Sequence, residues 1–487
     1  MIGVNLYTIR VVLDVLGVDS YGVYTVVAGV VALFSFLTNS MAAATQRYFS
    51  YALGKNDVGL LYKTFTVNFV IYSIIAVFSL IFLQTFGFWF VENKLTVDVE
   101  FIDAAKILYQ FSIFTLIATI MTSPFIAIII AHEDMKIFAK VSIFEAILKL
   151  SVVFILGSIK ENILETYGLL LLCVSVLILS LYFSICMMNY RECQLKKWYW
   201  DYLLFKEVLS FTSWTLFGQF TSVLRNQSIT ILLNQFFSPA VVTSRAIATN
   251  IASQVNMFSS NFNTGLYPPI IKSYANNDKL QLANLLHGGS KLTFFLMWIF
   301  ALPLIVEMEL VLNIWLVETP EYLVLFTRLS LIESLIFSIS LPLSTAARAP
   351  GKMKFYELVL GTMQISILLF SYVALKLGSD AYIVFLIAII VNVAMFFVRL
   401  VIVSKLVGIN IEQFLRKVLY PICILVALSL SVALSSKSIP CNQYVSGLIT
   451  VTTSFISSTL IMYRYGLDAE WRMKVKSFML KKIRANQ

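Results

Sequence analysis

The sequence predicts an all-α polytopic membrane protein of about fourteen transmembrane helices. Three observations predict it: the apolar excess, the length of the apolar runs, and the side of those runs on which the basic residues fall. Of 487 residues, 59% are hydrophobic and 13% charged, and the mean hydropathy is +0.86. A water-soluble chain is nearer half apolar and a quarter charged. Lipid is therefore the solvent, and in lipid the backbone must satisfy its own hydrogen bonds, so spans are helices or closed barrels. The apolar runs are roughly 20 residues long and do not alternate with a period of two, which selects helices.

Spans are predicted at about 2–17, 21–46, 64–90, 104–131, 136–157, 163–188, 207–237, 240–271, 288–314, 321–347, 354–377, 381–405, 417–436 and 443–463, each boundary within a few residues. They organise the chain as an N-terminal lobe, 1–190, carrying helices 1–6, and a cytoplasmic amphipathic linker, 191–206. A C-terminal lobe, 207–405, carries helices 7–12; helices 13 and 14 fill 406–463, and 464–487 is a basic tail. The first span is short of the ~20 residues that a crossing needs. A truncated first helix, or a true start upstream of Met1, is therefore expected.

The basic residues gather on alternate connections. One set holds Arg47, Lys55 and Lys63; Lys136 and Lys140; Arg191, Lys196, Lys197 and Lys206; Lys272, Lys279 and Lys291; Arg348, Lys352 and Lys354; Lys405, Arg416 and Lys417; and seven more in the tail. The opposite set holds Lys94, Lys106, Lys160, Lys376 and Lys437, and it is acidic, with Glu92, Asp98, Glu100, Asp103, Glu161, Glu165, Glu307, Glu309, Glu318 and Glu321. About 25 basic residues against 5 places the first set, the tail and both termini in the cytoplasm. The net charge of +10 follows this distribution, and no nucleic-acid partner is expected. In the tail, Trp471, Val475, Phe478, Met479 and Ile483 recur at near-helical spacing among Lys and Arg, the pattern of an interfacial helix on anionic lipid. Trp198, Tyr199 and Trp200 form an aromatic belt before span 7.

The chain also repeats itself. Pro124 is followed by Ala131, Met135, Lys136 and Phe138, and Pro342 by Ala349, Met353, Lys354 and Tyr356, an offset of 218. Ser50-Tyr51-Ala52, ending at Asn56-Asp57, matches Ser273-Tyr274-Ala275, ending at Asn277-Asp278. Both matches lay span n on span n + 6 in the same orientation. That predicts a parallel repeat of six helices about an axis along the membrane normal, with a cavity between two lobes that rock, and helices 13 and 14 outside it.

Ionisable side chains at bilayer depth cost at least ~2.5 kcal/mol each and mark cavities or partners. Arg10 with Asp14 lies in span 1, Glu145 and Lys149 in span 5, Arg225 in span 7, Arg245 in span 8, Arg328 and Glu333 in span 10, and Arg399 near the inner end of span 12. Arg47 and Arg399 are close enough to the cytoplasmic face to snorkel. Glu145 precedes Lys149 by one turn, the favourable ion-pair order, so the two serve either a coupling step or each other. Arg328 and Glu333 are further candidates for a coupling site or an ion pair. Arg225 and Arg245 have no carboxylate nearby in their own helices, which makes them the stronger ligand candidates. A guanidinium stays charged in low dielectric, and its fork fits phosphate oxygens. Gln219, Asn226, Asn250 and Gln254, with Gln227, Asn234, Asn256, Asn261 and Asn263, suit a sugar or headgroup, or bond helix to helix. His132 and His287 lie in separate connections, and no phosphate loop, HExxH or GxSxG occurs. No catalytic residues, metal site or cofactor are expected. Cys173, Cys186, Cys193, Cys423 and Cys441 form no CxxC pair and read as free thiols.

The stretches Arg10-Val-Val-Leu-Asp-Val-Leu-Gly17, Tyr21-Gly22-Val-Tyr24, Ala44-Thr-Gln-Arg47-Tyr and Gly54-Lys-Asn-Asp57 resemble those of Wzx-type O-antigen flippases. These are polysaccharide biosynthesis proteins of the multidrug/oligosaccharidyl-lipid/polysaccharide (MOP) exporter superfamily. Arg225-Asn-Gln227, Leu233-Asn-Gln-Phe-Phe-Ser-Pro239, Ile271-Lys-Ser-Tyr-Ala275 and Ala349-Pro-Gly-Lys-Met-Lys354 extend the resemblance to the second half. The resemblance implies a MATE-like pair of six-helix lobes in a bacterial inner membrane and alternating access. Its implied cargo is an undecaprenyl-pyrophosphate-linked oligosaccharide, an O-antigen (lipopolysaccharide) or capsule repeat unit. By helix position it implies pyrophosphate contacts for Arg10, Arg47 and Arg245, and a lipid-tail groove lined by helices 13 and 14. Anionic lipids and polysaccharide polymerase machinery are the partners it implies. A cation-coupled multidrug antiporter of the same superfamily is the nearest alternative. A membrane glycosyltransferase or polymerase and a non-transporting scaffold are more distant ones.

Overall fold

The computed structural model describes residues 24, 27, 31, 34–89, 102–159, 162–193, 198–316, 320–438, 442–466 and 472. The expected first helix, with Arg10 and Asp14, lies outside the described residues, as does the expected interfacial helix of the tail apart from Arg472. The chain divides into two compact units, Met1–Gln219 and Phe220–Gln487. Helix α6 runs across the division.

In the first unit, α1 is Ser35–Gly54, α2 Val58–Phe82, α3 Ile102–Ala131, α4 Met135–Leu156 and α5 Ile163–Asn189. The expected second span ended near 46, but α1 continues to Gly54. Its stop is set by backbone chemistry rather than by hydropathy: Asn56 takes a positive φ of 53°, and Asp57 caps α2 by accepting from the Leu60 N–H at 2.9 Å. Both are residue types that tolerate these roles. Helix α3 is the centre of the unit and packs against α1, α2 and α5. It carries Pro124 in its interior. Around it Thr119, Thr122 and Ser123 donate their hydroxyls to carbonyls one turn earlier, which suits a proline-containing helix in lipid. The end of α2 widens into a π turn at Leu83–Gly87. Tyr109 on α3 donates to the Leu83 carbonyl there at 2.8 Å, and a Cβ at position 87 would run into that hydroxyl, so the close approach requires glycine.

Helix α6, Tyr202–Phe236, is followed in the second unit by α7 Pro239–Ala275, α8 Lys279–Trp315, α9 Leu323–Arg348, α10 Lys354–Lys376 and α11 Ile383–Val407. Helix α12, Tyr420–Lys437, continues a short turn at Ile411–Phe414 through a π segment, and α13 is Gln443–Ile461. Helix α9 is the centre here, against α7, α8 and α11, while α12 and α13 pair and pack on α8. Trp298 of α8 donates to the Ser429 hydroxyl of α12 at 2.9 Å.

The internal repeat is visible helix by helix. The α1–α2 turn recurs between α7 and α8, where Asn277 has a φ of 56° and Asp278 accepts from the Gln281 N–H at 2.9 Å. Pro342 lies inside α9 as Pro124 lies inside α3. The offset of 218 also maps Glu133 onto Gly351, the positive-φ residues of the α3–α4 and α9–α10 turns. Among the described residues nine helices are long and apolar enough to cross a membrane. Helices α1, α4, α6 and α7 are not among them. Lys136, Lys140, Glu145 and Lys149 lie in α4, and the amide-rich set lies in α6 and α7.

Candidate functional site

The second unit gathers ionisable and amide side chains from α6, α7, α9 and α11. Arg225 on α6 donates from Nη1 to Glu333 Oε1 on α9 at 3.0 Å, and the two side chains are 14% and 20% exposed. The same carboxylate oxygen accepts from Asn392 Nδ2 on α11 at 3.0 Å. Asn392 also donates to the Ala388 carbonyl, and Arg225 Nη2 donates to Asn226 Oδ1 at 3.1 Å. Arg225 Nε is buried with no hydrogen-bond partner. Five residues further along α6, Thr230 accepts from Arg245 Nη1 of α7 at 2.6 Å, and Arg245 lies within electrostatic reach of both Arg225 and Glu333. Two guanidiniums thus face one carboxylate. Burying charges without partners is costly, so the excess positive charge and the orphan N–H make this a site suited to an anion. Asn226, Gln227, Asn250 and Asn261 are exposed on α6 and α7, while Gln219 and Gln254 are half-buried. Gln254 donates to Asn250 at 3.5 Å, and Asn263 to Thr345 at 3.3 Å.

The other expected site residues within the described chain have neighbours of their own. Arg328 shares α9 with Glu333 but turns to the Ile305 carbonyl of α8 at 2.9 Å. Lys149 binds Glu145 at 2.7 Å on an exposed face of α4. Arg47, in the first unit, is buried, with its guanidinium 4.3 Å from the Tyr48 ring, 5.1 Å from Tyr51 and 5.9 Å from Phe211. Arg10 lies outside the described residues. Arg399 does not snorkel: it is buried, and its Nε donates to the Tyr356 hydroxyl at 2.9 Å. A buried acceptor on the neighbouring helix replaces the water it would otherwise seek. Glu307, grouped above with the outer loops, is instead buried inside α8.

Two partnerships went unread in the sequence. Asn392 is the lone amide of its span, among apolar neighbours from Val384 to Val398, and that contrast could have marked it. His132 Nε2 lies 2.5 Å from Glu192 Oε1, its ring stacked 4.4 Å from Tyr190, whose hydroxyl donates to Asp134 at 2.5 Å. This knot joins the α3–α4 turn to the end of α5, outside the spans. Burial pushes the Glu192 carboxyl up, but the His132 contact and a backbone N–H outweigh it and leave the group below its ordinary range. The hydrogen bond with Cys186, with burial, pushes the Cys193 thiol up, which makes it inert. Cys173, Cys186, Cys193 and Cys423 are free thiols, and the described residues hold no cluster of three or more His, Cys, Asp or Glu that could bind a metal.

No family model and no curated protein matches the sequence. Solved structures match over most of their length. A crystal structure of a MATE mutant superposes with a TM-score of 0.71 at 12% identity, covering 84% of this chain and 94% of that one. The fold is that of the MATE transporters. An outward-facing multidrug resistance MATE family transporter of the MOP superfamily gives a TM-score of 0.64 at 11% identity, over 82% of this chain and 95% of its own. A mutant of the Vibrio cholerae MATE transporter VcmN gives 0.62 at 14% identity, over 83% and 92%. With the MATE fold comes a multi-pass membrane architecture, as the apolar runs predicted.

Proposed function

We infer that this protein moves an amphiphilic anion across the bacterial inner membrane by alternating access. The cargo on this reading is an undecaprenyl-pyrophosphate-linked oligosaccharide, an O-antigen or capsule repeat unit. The observation that carries the reading is the excess of guanidinium over carboxylate among Arg225, Arg245 and Glu333 of α6, α7 and α9. A phosphate group satisfies it, whereas a cationic drug is repelled by it. The exposed amides of α6 and α7 support the same reading, because a polar face turned to lipid is expensive and one turned to an aqueous path is not. Those amides offer donors and acceptors to a glycan. The prenyl chain stays in lipid, both termini lie in the cytoplasm, and the polymerase machinery that consumes the flipped unit is the expected neighbour.

A second reading, a cation-coupled multidrug antiporter, is favoured by the likeness to a multidrug resistance transporter. Glu333 would be its ion or proton site.

Deleting the gene and measuring lipid-linked oligosaccharide separates the two. Completed units accumulating on the cytoplasmic leaflet, with surface glycan lost, and restored by the wild-type gene but not by Arg225→Ala or Arg245→Ala, support the flippase. Unchanged lipid-linked glycan with altered drug sensitivity establishes the antiporter. Absent lipid-linked glycan points to a synthetic enzyme.

A further inference from the structure

Helix α8 is broken near its outer end. Glu307 has φ −106° and ψ 24°, away from helical values, four residues after Pro303. Carbonyls at a helix break look for donors outside the helix, and here two cationic side chains supply them. Arg328 Nε of α9 donates to the Ile305 carbonyl at 2.9 Å, and Lys437 Nζ of α12 to the Val306 carbonyl at 3.0 Å. The Lys437 ammonium also lies 3.5 Å from Glu307 Oε2, with the glutamate side chain 8% exposed and the lysine 45% exposed.

These positions differ in what can move. The Glu307 carboxylate is buried on the broken helix, and the Val306 carbonyl belongs to the backbone. The Lys437 ammonium rides on a flexible, half-exposed chain and can leave at the cost of a rotamer change. Its departure leaves an uncompensated carboxylate beside a free carbonyl in low dielectric, an arrangement that demands a cation. Carbonyls at the C-terminal end of a broken transmembrane half-helix, joined by a carboxylate, are the oxygen set that holds monovalent cations in membrane transporters. The dipole of the preceding half-helix adds negative potential at the same point.

We propose that the Val306 carbonyl and the Glu307 carboxylate form a monovalent-cation site at the break in α8, closed in this state by the Lys437 ammonium. An inorganic cation takes the site when Lys437 withdraws. Because Lys437 ends α12, which lies outside the six-helix repeat, the exchange links the extra helix pair to the broken helix α8 on which it packs.

The test uses the full-length protein in nanodiscs, at constant ionic strength, in NaCl, KCl or N-methyl-D-glucamine chloride. In the wild type, Lys437 is labelled by an amine-reactive ester and read by peptide mass spectrometry. Labelling severalfold faster in one of the inorganic salts than in N-methyl-D-glucamine is the expected result, because the displaced ammonium is freed. Equal rates in all three overturn the proposal. The Lys437→Met variant should unfold at a lower temperature than wild type in N-methyl-D-glucamine and recover, saturably, by roughly 2 °C or more in Na⁺ or K⁺. The Lys437→Met/Glu307→Gln double variant should show no recovery. A Lys437→Met protein indifferent to the cation, or one whose recovery survives Glu307→Gln, makes Lys437 a plain helix cap and ends the idea. If Lys437→Met does not fold, the wild-type labelling decides.

Discussion

The bond between Arg225 and Glu333 carries both the packing of the second unit and the charge excess of its site, and a double-mutant cycle measures it. At 3.0 Å and an effective dielectric of ~20, the bare attraction is about 5 kcal/mol. Desolvation of both groups offsets a large part of that. Asn392 also remains on the carboxylate when Arg225 is removed, and Arg245 remains within reach. A coupling of about 2 kcal/mol is therefore expected, toward the upper end of what contacting residues show. Arg225→Met alone should destabilise by about 3 kcal/mol, since it strands a carboxylate. Glu333→Gln alone should cost less, about 2 kcal/mol, because the amide oxygen still accepts from Arg225 and Asn392. The double variant should cost about 2 kcal/mol less than the sum of the two. Reversible unfolding in bicelles reads all four proteins. Additivity within ~0.5 kcal/mol would refute the claim that the two side chains neutralise each other in the membrane.

Three further outcomes are expected. The depressed carboxyl of Glu192 stabilises the fold above its ordinary value of 4.5, and that contribution is lost as pH falls through the lower folded value. Glu192→Gln should accordingly flatten the acid limb of thermal stability below about pH 4.5. Gly87→Ala should cost about 1–3 kcal/mol by forcing the Tyr109 hydroxyl off the π turn, and adding Tyr109→Phe to it should recover part of the loss; thermal melts of both variants check this. Trp298→Phe, measured in the same way, should cost about 1 kcal/mol for the lost bond to Ser429.

Much of the fold was legible because its signals are local. An apolar run reports its own transfer from water to lipid, whatever it packs against, and the thirteen described helices fall on spans 2–14. The repeat was legible for the same reason. Asn-Asp at 56–57 and 277–278 and the prolines at 124 and 342 are backbone requirements satisfied within a few residues. The site was legible only as a set of expensive residues. Arg225, Arg245 and Glu333 stood out because a lone charge in a span needs explaining, yet nothing in the sequence said which of them meet.

That was decided by tertiary structure. Arg225 reaches Glu333 across 108 positions, and Lys437 reaches Val306 across 131. The same geometry turned Arg399 inward to Tyr356 and sent Arg328 to a carbonyl rather than to its helix neighbour Glu333. The sequence by itself determined where the thirteen described helices form and which residues cannot sit in lipid alone. Only the assembled helices decided who partners whom, because a charge in low dielectric takes the nearest compatible group in space, and distance along the chain does not enter Coulomb's law.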